Sequence, residues 1–278
     1  PGSQDEGDMV LDYMKMPSEM ASYDLPILPE AEIVAECPQA LAVLEILQEN
    51  LDRYRVGDTA QTIPLVALAE HDLDIINQIL GEGEVSVAIV GPRVIKVQET
   101  VLAGVWRIRA FDASGTLIDD AMEIADIPTL VKTHAFSTQR PLVFDAGALP
   151  EGVLNAPSVL VEIQEASHRY KEAAAVGQVS DIAHVINLSL LPFLPQDHGF
   201  LTEITGTGPV TMLSRGYGNC RITSTQTEGL WRVQYFNSTD QLILDTLEVT
   251  DIPLVACAAQ EDLDDSAERL KEIREVLV

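Results

Sequence analysis

Apolar residues recur at helical spacing near the start of the chain and predict an amphipathic helix over residues 38–55. Its apolar stripe consists of Leu41, Leu44, Leu47 and Leu51. Pro38 stands in the first turn, where a helix tolerates proline because an N–H there would have no helical partner. A second amphipathic helix is predicted over residues 261–278, where acidic residues lead and basic residues follow, as the helix dipole favours. Its stripe consists of Leu263, Ala267, Leu270, Ile273 and Leu277.

Two short helices are predicted over residues 70–80 and 195–205, each with an aspartate in its first turn and a glycine just past its end. These residues are Asp72 and Asp197, and Gly81 and Gly206. The apolar or alternating runs that follow each helix predict strands: VSVAIV, WRIRAF and LIDDAMEI, then VTML, WRVQYF and LILDTLEV. DASG at 112–115 and NSTD at 237–240 predict hairpin turns. Each half of the chain is therefore expected to hold about four antiparallel strands beside helices.

The second half repeats the first. A constant offset of 125 residues aligns 72–128 with 197–253, and the triplet Asp-Ile-Pro closes both segments. Identical pairs include Gly81 and Gly206, Gly104 and Gly229, Trp106 and Trp231, Arg107 and Arg232, Asp120 and Asp245, and Asp126 and Asp251. Upstream the match continues at a smaller offset, with Arg53-Tyr54 matching Arg169-Tyr170.

The predicted fold class is therefore α+β, a tandem duplication of a helix-plus-antiparallel-sheet module with an extended N-terminal arm and a C-terminal helix. The predicted boundaries are an arm at 1–33, a first repeat at 34–131, a turn-rich linker at 132–156, and a second repeat with the C-terminal helix at 157–278.

The formal net charge of −27, from 44 acidic and 17 basic side chains, repels nucleic-acid phosphates and anionic lipid headgroups. We therefore expect neither nucleic acid nor membrane as a partner, and a preference for basic partners. The alternative interpretation is that this charge only maintains solubility. No apolar run approaches the roughly 20 residues of a membrane helix, and no export signal is recognisable, which predicts a cytoplasmic protein.

The three cysteines are Cys37, Cys220 and Cys257, and no CxxC pair occurs. An odd number without such spacing argues against a disulfide framework and against a zinc or iron–sulfur site, so free buried thiols and no cofactor are expected. The alternative is metal or iron–sulfur delivery through Cys220, Cys257 and the histidines. The histidines are His71, His134, His168, His184 and His198.

Sequence motifs of catalysis are missing, so we expect a binding or assembly protein rather than an enzyme. GEGE at 81–84 and GTGP at 206–209 follow a helix and enter a strand, the reverse of the order in a phosphate loop, and are explained by a helix stop plus a strand turn. Asp197-His198 is an adjacent acid–imidazole pair, but neighbours on a helix point to different faces.

Candidate partner-binding residues are Met9, Met14, Met16, Met20, Trp106, Trp231, Asp126 and Asp251. The methionines would give the arm an adaptable apolar surface. The tryptophans are either aromatic anchors beside a groove or, in the interpretation we prefer, core residues on equivalent strands. The aspartates could bind a metal or a basic partner, although a turn before proline more often explains such a carboxylate.

Several strings are distinctive in combination: MPSEM at 16–20, LPILPE at 25–30, GEGEVS at 81–86, ETVLAGVWR at 99–107 and the two copies of DIP. With PGSQ at 1–4 they resemble the HupH/HyaF family of hydrogenase expression proteins over nearly the whole chain. The resemblance implies a cytoplasmic accessory role in maturing nickel–iron uptake hydrogenases. It also implies binding of the iron–sulfur small-subunit precursor before export, alongside a thioredoxin-like accessory protein, and it supplies no catalytic residue.

Overall fold

The computed structural model describes residues 28–178, 183–216 and 218–277. Its α-helices are α1 (Ala31–Ala35), α2 (Pro38–Arg53), α3 (Glu70–Leu80), α4 (Thr129–His134), α5 (Ala156–Ala175), α6 (Pro195–Thr205) and α7 (Gln260–Leu277). Helices α2, α3, α6 and α7 confirm the four helices that the sequence pattern predicts. The predicted arm lies outside the described residues as far as residue 27, and α1 crosses the boundary predicted after residue 33.

Within the described residues, ten antiparallel strands form one sheet. They are β1 (Gln61–Pro64), β2 (Val85–Ile89), β3 (Val94–Glu99), β4 (Val105–Phe111), β5 (Leu117–Ile124), β6 (His184–Asn187), β7 (Val210–Ser214), β8 (Asn219–Ser224), β9 (Leu230–Phe236) and β10 (Leu242–Val249). The spatial order is β1-β5-β4-β3-β2-β7-β8-β9-β10-β6. Counted inward from the two edges, the order β1-β5-β4-β3-β2 of the first half is matched by β6-β10-β9-β8-β7 of the second. The protein is therefore α+β, as predicted.

In the part of the chain that the structure describes, each half has five strands where the sequence predicted about four. The edge strands β1 and β6 are only four residues long and bury one side chain each, Ile63 and Ile186. A single buried position leaves no alternation to detect, because a strand is recognised by several apolar residues at every second position.

The two halves meet at the pairing of β2 with β7. Val85 lies opposite Ser214, and Val87 lies opposite Met212. Since Met212 is the position that the 125-residue offset assigns to Val87, this residue faces its own counterpart. Such self-pairing is the geometry of a two-fold interface, here within one chain.

Among the described residues, two clusters of buried side chains support the sheet. The larger cluster consists of buried side chains from most elements of the first half, from strands β7, β8 and β9 of the second half, and from α7. The smaller one lies between α5 and the second half's outer strands and includes Leu160, Ile163 and Leu247. Although α7 follows the second half in sequence, it packs on α2 of the first, where the Gln48 Nε2 donates to the Ala267 carbonyl at 3.0 Å.

The two glycines of each GxG string have separate structural roles. Gly81 ends α3 with a φ of 51°, and Gly206 ends α6 with a φ of 69°. Gly83 and Gly208 have backbone so close to the neighbouring strand that a Cβ would collide with the Thr100 carbonyl in one case and with Ser224 in the other. The helix-stop interpretation of these glycines is thus confirmed, and close backbone approach accounts for the second glycine.

Candidate functional site

The four methionines of the predicted partner surface lie outside the described residues. Both tryptophans are fully buried, as the core interpretation expects. The Trp106 indole N–H donates to the Ala125 carbonyl at 2.9 Å, and the Trp231 indole N–H donates to the Asp251 carbonyl at 3.0 Å. A buried indole whose N–H is satisfied by backbone stabilises the core and offers no surface to a partner.

Asp126 and Asp251 each interact with a tyrosine of the long helix of their own half: Tyr54 is the C-cap of α2, and Tyr170 lies within α5. The Tyr54 hydroxyl donates to Asp126 Oδ1 at 2.8 Å and accepts from the Asp126 N–H at 3.0 Å. Tyr170 is likewise hydrogen-bonded to the Asp251 side chain, and burial, followed by the charge of Asp251, raises the pKa of Tyr170 to about 12. These aspartates connect helix to sheet, which goes beyond the local turn role that the sequence favoured.

A buried aspartate of the short helix caps the long helix of the same half. Asp72 Oδ1 accepts the Ala40 N–H at 2.8 Å, at the start of α2. Asp197 Oδ1 accepts the N–H groups of residues 154–156 at the start of α5, and Oδ2 accepts the Leu194 N–H. The sequence predicted that both aspartates lie in the first turn of their own helices. It did not predict that they also cap α2 and α5, because the N–H groups that they accept are more than 30 residues away in the chain.

An ion pair recurs at matching places in the two halves. The Arg107 guanidinium binds Asp120 in a buried bidentate pair, and Arg232 binds Asp245 with distances of 3.0 and 2.7 Å. Both pairs join adjacent strands, so they fix the register of each half-sheet. They leave no free charge for a ligand.

The strongest candidate site is a cavity of 270 Å³ at the junction of the two halves, which we call the seam cavity. Its titratable side chains come from six separate segments: Glu84, Glu99, Cys220, Tyr235, Cys257 and Asp262. The sequence named Cys220 and Cys257 together as an alternative ligand pair, and the structure does bring them to one cavity. Glu99 was not predicted from the sequence, because residues of the second half come to surround it only when the chain is folded.

Both thiols of the seam cavity are held in the protonated form. Burial raises the pKa of Cys220 to about 11, although the Tyr235 hydroxyl donates to this thiol and opposes the rise. Burial, followed by the negative charge of Asp126, raises the pKa of Cys257 to about 12. A thiol is a poor nucleophile and a poor metal ligand until it loses its proton, so neither cysteine is activated near neutral pH.

Glu99 is the group of the seam cavity that titrates near neutrality. Burial raises the pKa of its carboxyl to about 7; the Gly104 N–H, which donates to Oε1 at 3.2 Å, opposes the rise, and the charge of Glu84 adds to it. The corresponding position in the second half is Ser224, a neutral side chain. The cavity can therefore take up and release one proton around pH 7.

The histidines lie elsewhere in the described chain and none lines the seam cavity. His184 Nε2 is 2.7 Å from Glu162, His168 is 3.7 Å from Glu172, and the His198 ring packs edge-on against Phe193. Among residues 28–178, 183–216 and 218–277, no group of three or more His, Cys, Asp or Glu side chains is arranged to hold a metal ion. Over the same residues, no helix is both long and apolar enough to cross a membrane.

Comparison with known proteins bears on the family of this chain, which the geometry of the site does not identify. The family described as "HupH hydrogenase expression protein, C-terminal conserved region" matches residues 38–139 and 153–277. "Hydrogenase expression/formation protein HupQ" of Azotobacter chroococcum mcd 1 is 55% identical, covering 100% of this chain and 95% of that protein. "Hydrogenase-1 operon protein HyaF" of Escherichia coli K12 is 30% identical, covering 98% of this chain and 93% of that protein.

A solved structure, "Hydrogenase expression protein HupH from Thiobacillus denitrificans ATCC 25259", is 25% identical with a TM-score of 0.39, and the match covers 44% of this chain and 95% of that one. The family match spans both halves of the chain, and the relatives align along nearly its full length. This chain belongs to the HupH family of hydrogenase expression proteins.

Proposed function

We propose that this protein is a non-catalytic accessory factor in the maturation of a nickel–iron uptake hydrogenase, and that it binds the precursor of the iron–sulfur small subunit in the cytoplasm. The observation that carries the proposal is the 55% identity, over the whole chain, to a protein named for hydrogenase expression and formation. The protonated thiols of the seam cavity support a binding role, since neither is poised for nucleophilic chemistry.

Charge supports the choice of client. The chain carries a net charge of −27, and a precursor with a basic twin-arginine leader is attracted to such a surface. Long-range attraction raises the association rate and weakens with salt, because the Debye length is about 8 Å at physiological ionic strength. Short-range apolar contacts act mainly on the dissociation rate.

The apolar part of this interaction is assigned to the arm that carries Met9, Met14, Met16 and Met20. The buried Trp106 and Trp231 act only by supporting the surface above them. A truncation should stop at residue 27, because Leu28 packs on the larger core cluster and Val34 is fully buried within it. Removing residues 1–27 therefore tests the arm without opening the core.

The experiment measures binding kinetics of the full-length and truncated proteins against the small-subunit precursor, with and without its leader. We expect the truncation to speed dissociation. Rising salt is expected to slow association of the leader-bearing precursor only. Equal kinetics for the two clients at all salt concentrations would refute the electrostatic step, and absence of binding to either client would refute the proposed function.

A thioredoxin-like accessory protein is proposed as a second partner, acting on the same precursor. If the two proteins act together, adding the companion changes the amount of precursor captured by this chain. Independent capture, with no mutual effect at saturating concentrations, would contradict joint action.

A second candidate function is the delivery of a metal or an iron–sulfur cluster, favoured by the meeting of Cys220 and Cys257 in one cavity. The raised pKa of each thiol and the distance of the histidines from the cavity count against it. Metal analysis of protein purified without oxygen decides the question. Stoichiometric metal that survives dialysis against a chelator, and that is lost in Cys220→Ser, would establish delivery in place of client binding.

We also infer that the two halves descend from one duplicated module. Support comes from the 125-residue offset, from the matching of one family region to both halves, and from the mirrored strand order. The two halves should superpose in a crystal structure with Trp106 on Trp231 and Asp126 on Asp251. A different strand order in the two halves would contradict common descent.

A further inference from the structure

The two edges of the sheet are related by the repeat but differ in their backbone donors. Ile63 of β1 and Ile186 of β6 are the buried residues of the edge strands, and they lie opposite positions of β5 and β10 that the 125-residue offset relates. The next residue is Pro64 at one edge and Asn187 at the other. Proline has no N–H, and natural sheets use it to keep an edge strand from pairing with another chain. The β1 edge has this protection and the β6 edge lacks it.

The unpaired backbone groups of β6 belong to Val185 and Asn187. On the neighbouring strand β10, the Asp245 N–H donates to the Ser189 hydroxyl just past β6. N–H groups alternate in direction along a strand, so every second N–H of β10 from Asp245 onward faces β6, and the partners are the first and third residues of β6. The second and fourth residues, Val185 and Asn187, therefore direct N–H and C=O away from β10, to a side where no strand of the described residues lies.

A groove of 390 Å³ lies beside these groups, between α5 and β6, and we call it the β6 groove. Glu162 is its one charged lining residue within the described chain, and this carboxylate is 2.7 Å from His184 Nε2. The groove therefore suits an apolar side chain, since its charged group already has a partner. Its apolar lining includes Val159, Val185, Leu190, Leu191, Pro192 and Phe193.

The second half adds apolar surface at this edge. The connection from β6 to α6 is two residues longer than that from β1 to α3. Its leucines Leu190, Leu191 and Leu194 are exposed, with Leu190 80% exposed, whereas the shorter connection exposes Val66. Apolar side chains grouped beside an unpaired strand edge are an aggregation hazard unless they have a partner, so their presence indicates an interaction site.

Charge and hydrogen bonding indicate which kind of partner fits. Alternating N–H and C=O groups along a strand edge are satisfied by another extended backbone. A second copy of the chain brings a second net charge of −27, and that repulsion opposes the pairing of two β6 edges. An acidic segment is disfavoured for the same reason, whereas a neutral or basic apolar segment is not.

We propose that the β6 edge binds an extended apolar segment of a partner protein, neutral or basic in charge. The segment adds a strand to the sheet through Val185 and Asn187 and places an apolar side chain in the β6 groove. This surface is distinct from the arm to which client binding is assigned, and it does not depend on the identity of the client. Loss of one kind of binding therefore leaves the other intact.

The test uses a fluorescent peptide of about eight residues in which valine and threonine alternate, with a lysine at each end, added to the full-length protein at about 0.15 M salt. Asn187→Pro, which copies Pro64, should weaken binding about fivefold, because one backbone hydrogen bond contributes about 1 kcal/mol. Thr62→Pro is the matched control at the other edge. The Leu65 N–H donates to the Asp120 carbonyl beside β5, so the Thr62 N–H faces away from β5, and its loss should leave peptide affinity within about twofold.

Asn187→Ala keeps the backbone N–H and should weaken binding less than Asn187→Pro. A peptide N-methylated at every residue has the same side chains and charges but no backbone N–H groups, and it should not bind the unchanged protein. Equal binding of the two peptides would show that side chains or charge alone hold them, and would overturn the proposal. Absence of binding, or weakening by Thr62→Pro alone, would also overturn it. A concentration-dependent dimer that Asn187→Pro dissolves would overturn it in favour of a second copy of the chain.

Discussion

Neutralising Glu99 should make the protein more stable above neutral pH. This carboxyl is 8% exposed, and the backbone N–H of Gly104 is its hydrogen-bond donor at 3.2 Å. Glutamine has the same shape as the protonated acid and can accept the same bond. Glu99→Gln therefore removes the cost of a buried charge while leaving the packing of the seam cavity in place.

The magnitude follows from proton linkage. The ordinary pKa of the carboxyl is 4.5 and burial raises it to about 7, so the folded chain holds a proton that the unfolded chain has already released. The stability that this protonation gives is fully present below about pH 4.5 and is lost as the pH rises through about 7. At roughly 1.4 kcal/mol per pH unit, the loss above pH 7 is about 3 kcal/mol. Glu99→Gln should recover about 2–3 kcal/mol of it at pH 8 and almost none at pH 4.5.

Urea denaturation at a series of pH values measures this effect directly. The wild-type free energy of unfolding should fall between pH 4.5 and 7 relative to that of Glu99→Gln, with unchanged denaturant slopes. Glu82→Gln is the control, because Glu82 is an exposed carboxylate of the same acidic region. A difference between Glu99→Gln and wild type that does not vary with pH would refute the assignment of the titration to Glu99. Equal effects of the two substitutions would attribute it to net charge instead.

Three further substitutions test the supports of the fold. Asp197→Asn should lower the free energy of unfolding by about 2 kcal/mol at pH 7. Burial raises the pKa of this carboxyl, but four backbone N–H donors outweigh burial and hold the pKa at about 2. The difference, measured by urea denaturation, should therefore shrink as the pH falls from about 4 through about 2. Tyr54→Phe should cost about 2 kcal/mol in the same assay, because it leaves the buried Asp126 N–H without an acceptor. Gly83→Ala should cost more than about 2 kcal/mol and lower the melting temperature, because its Cβ collides with the Thr100 carbonyl. An unchanged midpoint in any of the three would contradict the corresponding contact.

Local signals were sufficient for most elements of the fold. Leucines at helical spacing identified α2, and the glycines Gly81 and Gly206 marked the ends of the short helices correctly. DASG and NSTD are turns between β4 and β5 and between β9 and β10, as predicted. Each of these signals involves residues within a few positions of one another, and such local spacing and turn chemistry can be read from sequence.

Non-local contacts were the ones that sequence could not provide. The seat of α7 on α2 depends on contacts such as that of Gln48 with Ala267, more than 200 residues apart. The pairing of Tyr54 with Asp126 was missed for the same reason, although both residues were noted as repeated. The seam cavity needs six segments brought together by the β2–β7 pairing, and the high pKa of Glu99 arises only from that burial.

Differences between equivalent positions are more informative about function than the shared ones. Tryptophans, Tyr–Asp bonds and Arg–Asp pairs occur in both halves and all stabilise the common framework. Where the halves differ, Glu99 stands opposite Ser224 in the seam, and Ser167 stands opposite Leu51 on the long helix. Each difference places a polar group where burial makes it costly, and such costs persist in proteins mainly at sites that bind or react. The seam cavity, with Glu99, is therefore a place where this framework carries chemistry that its folding does not need.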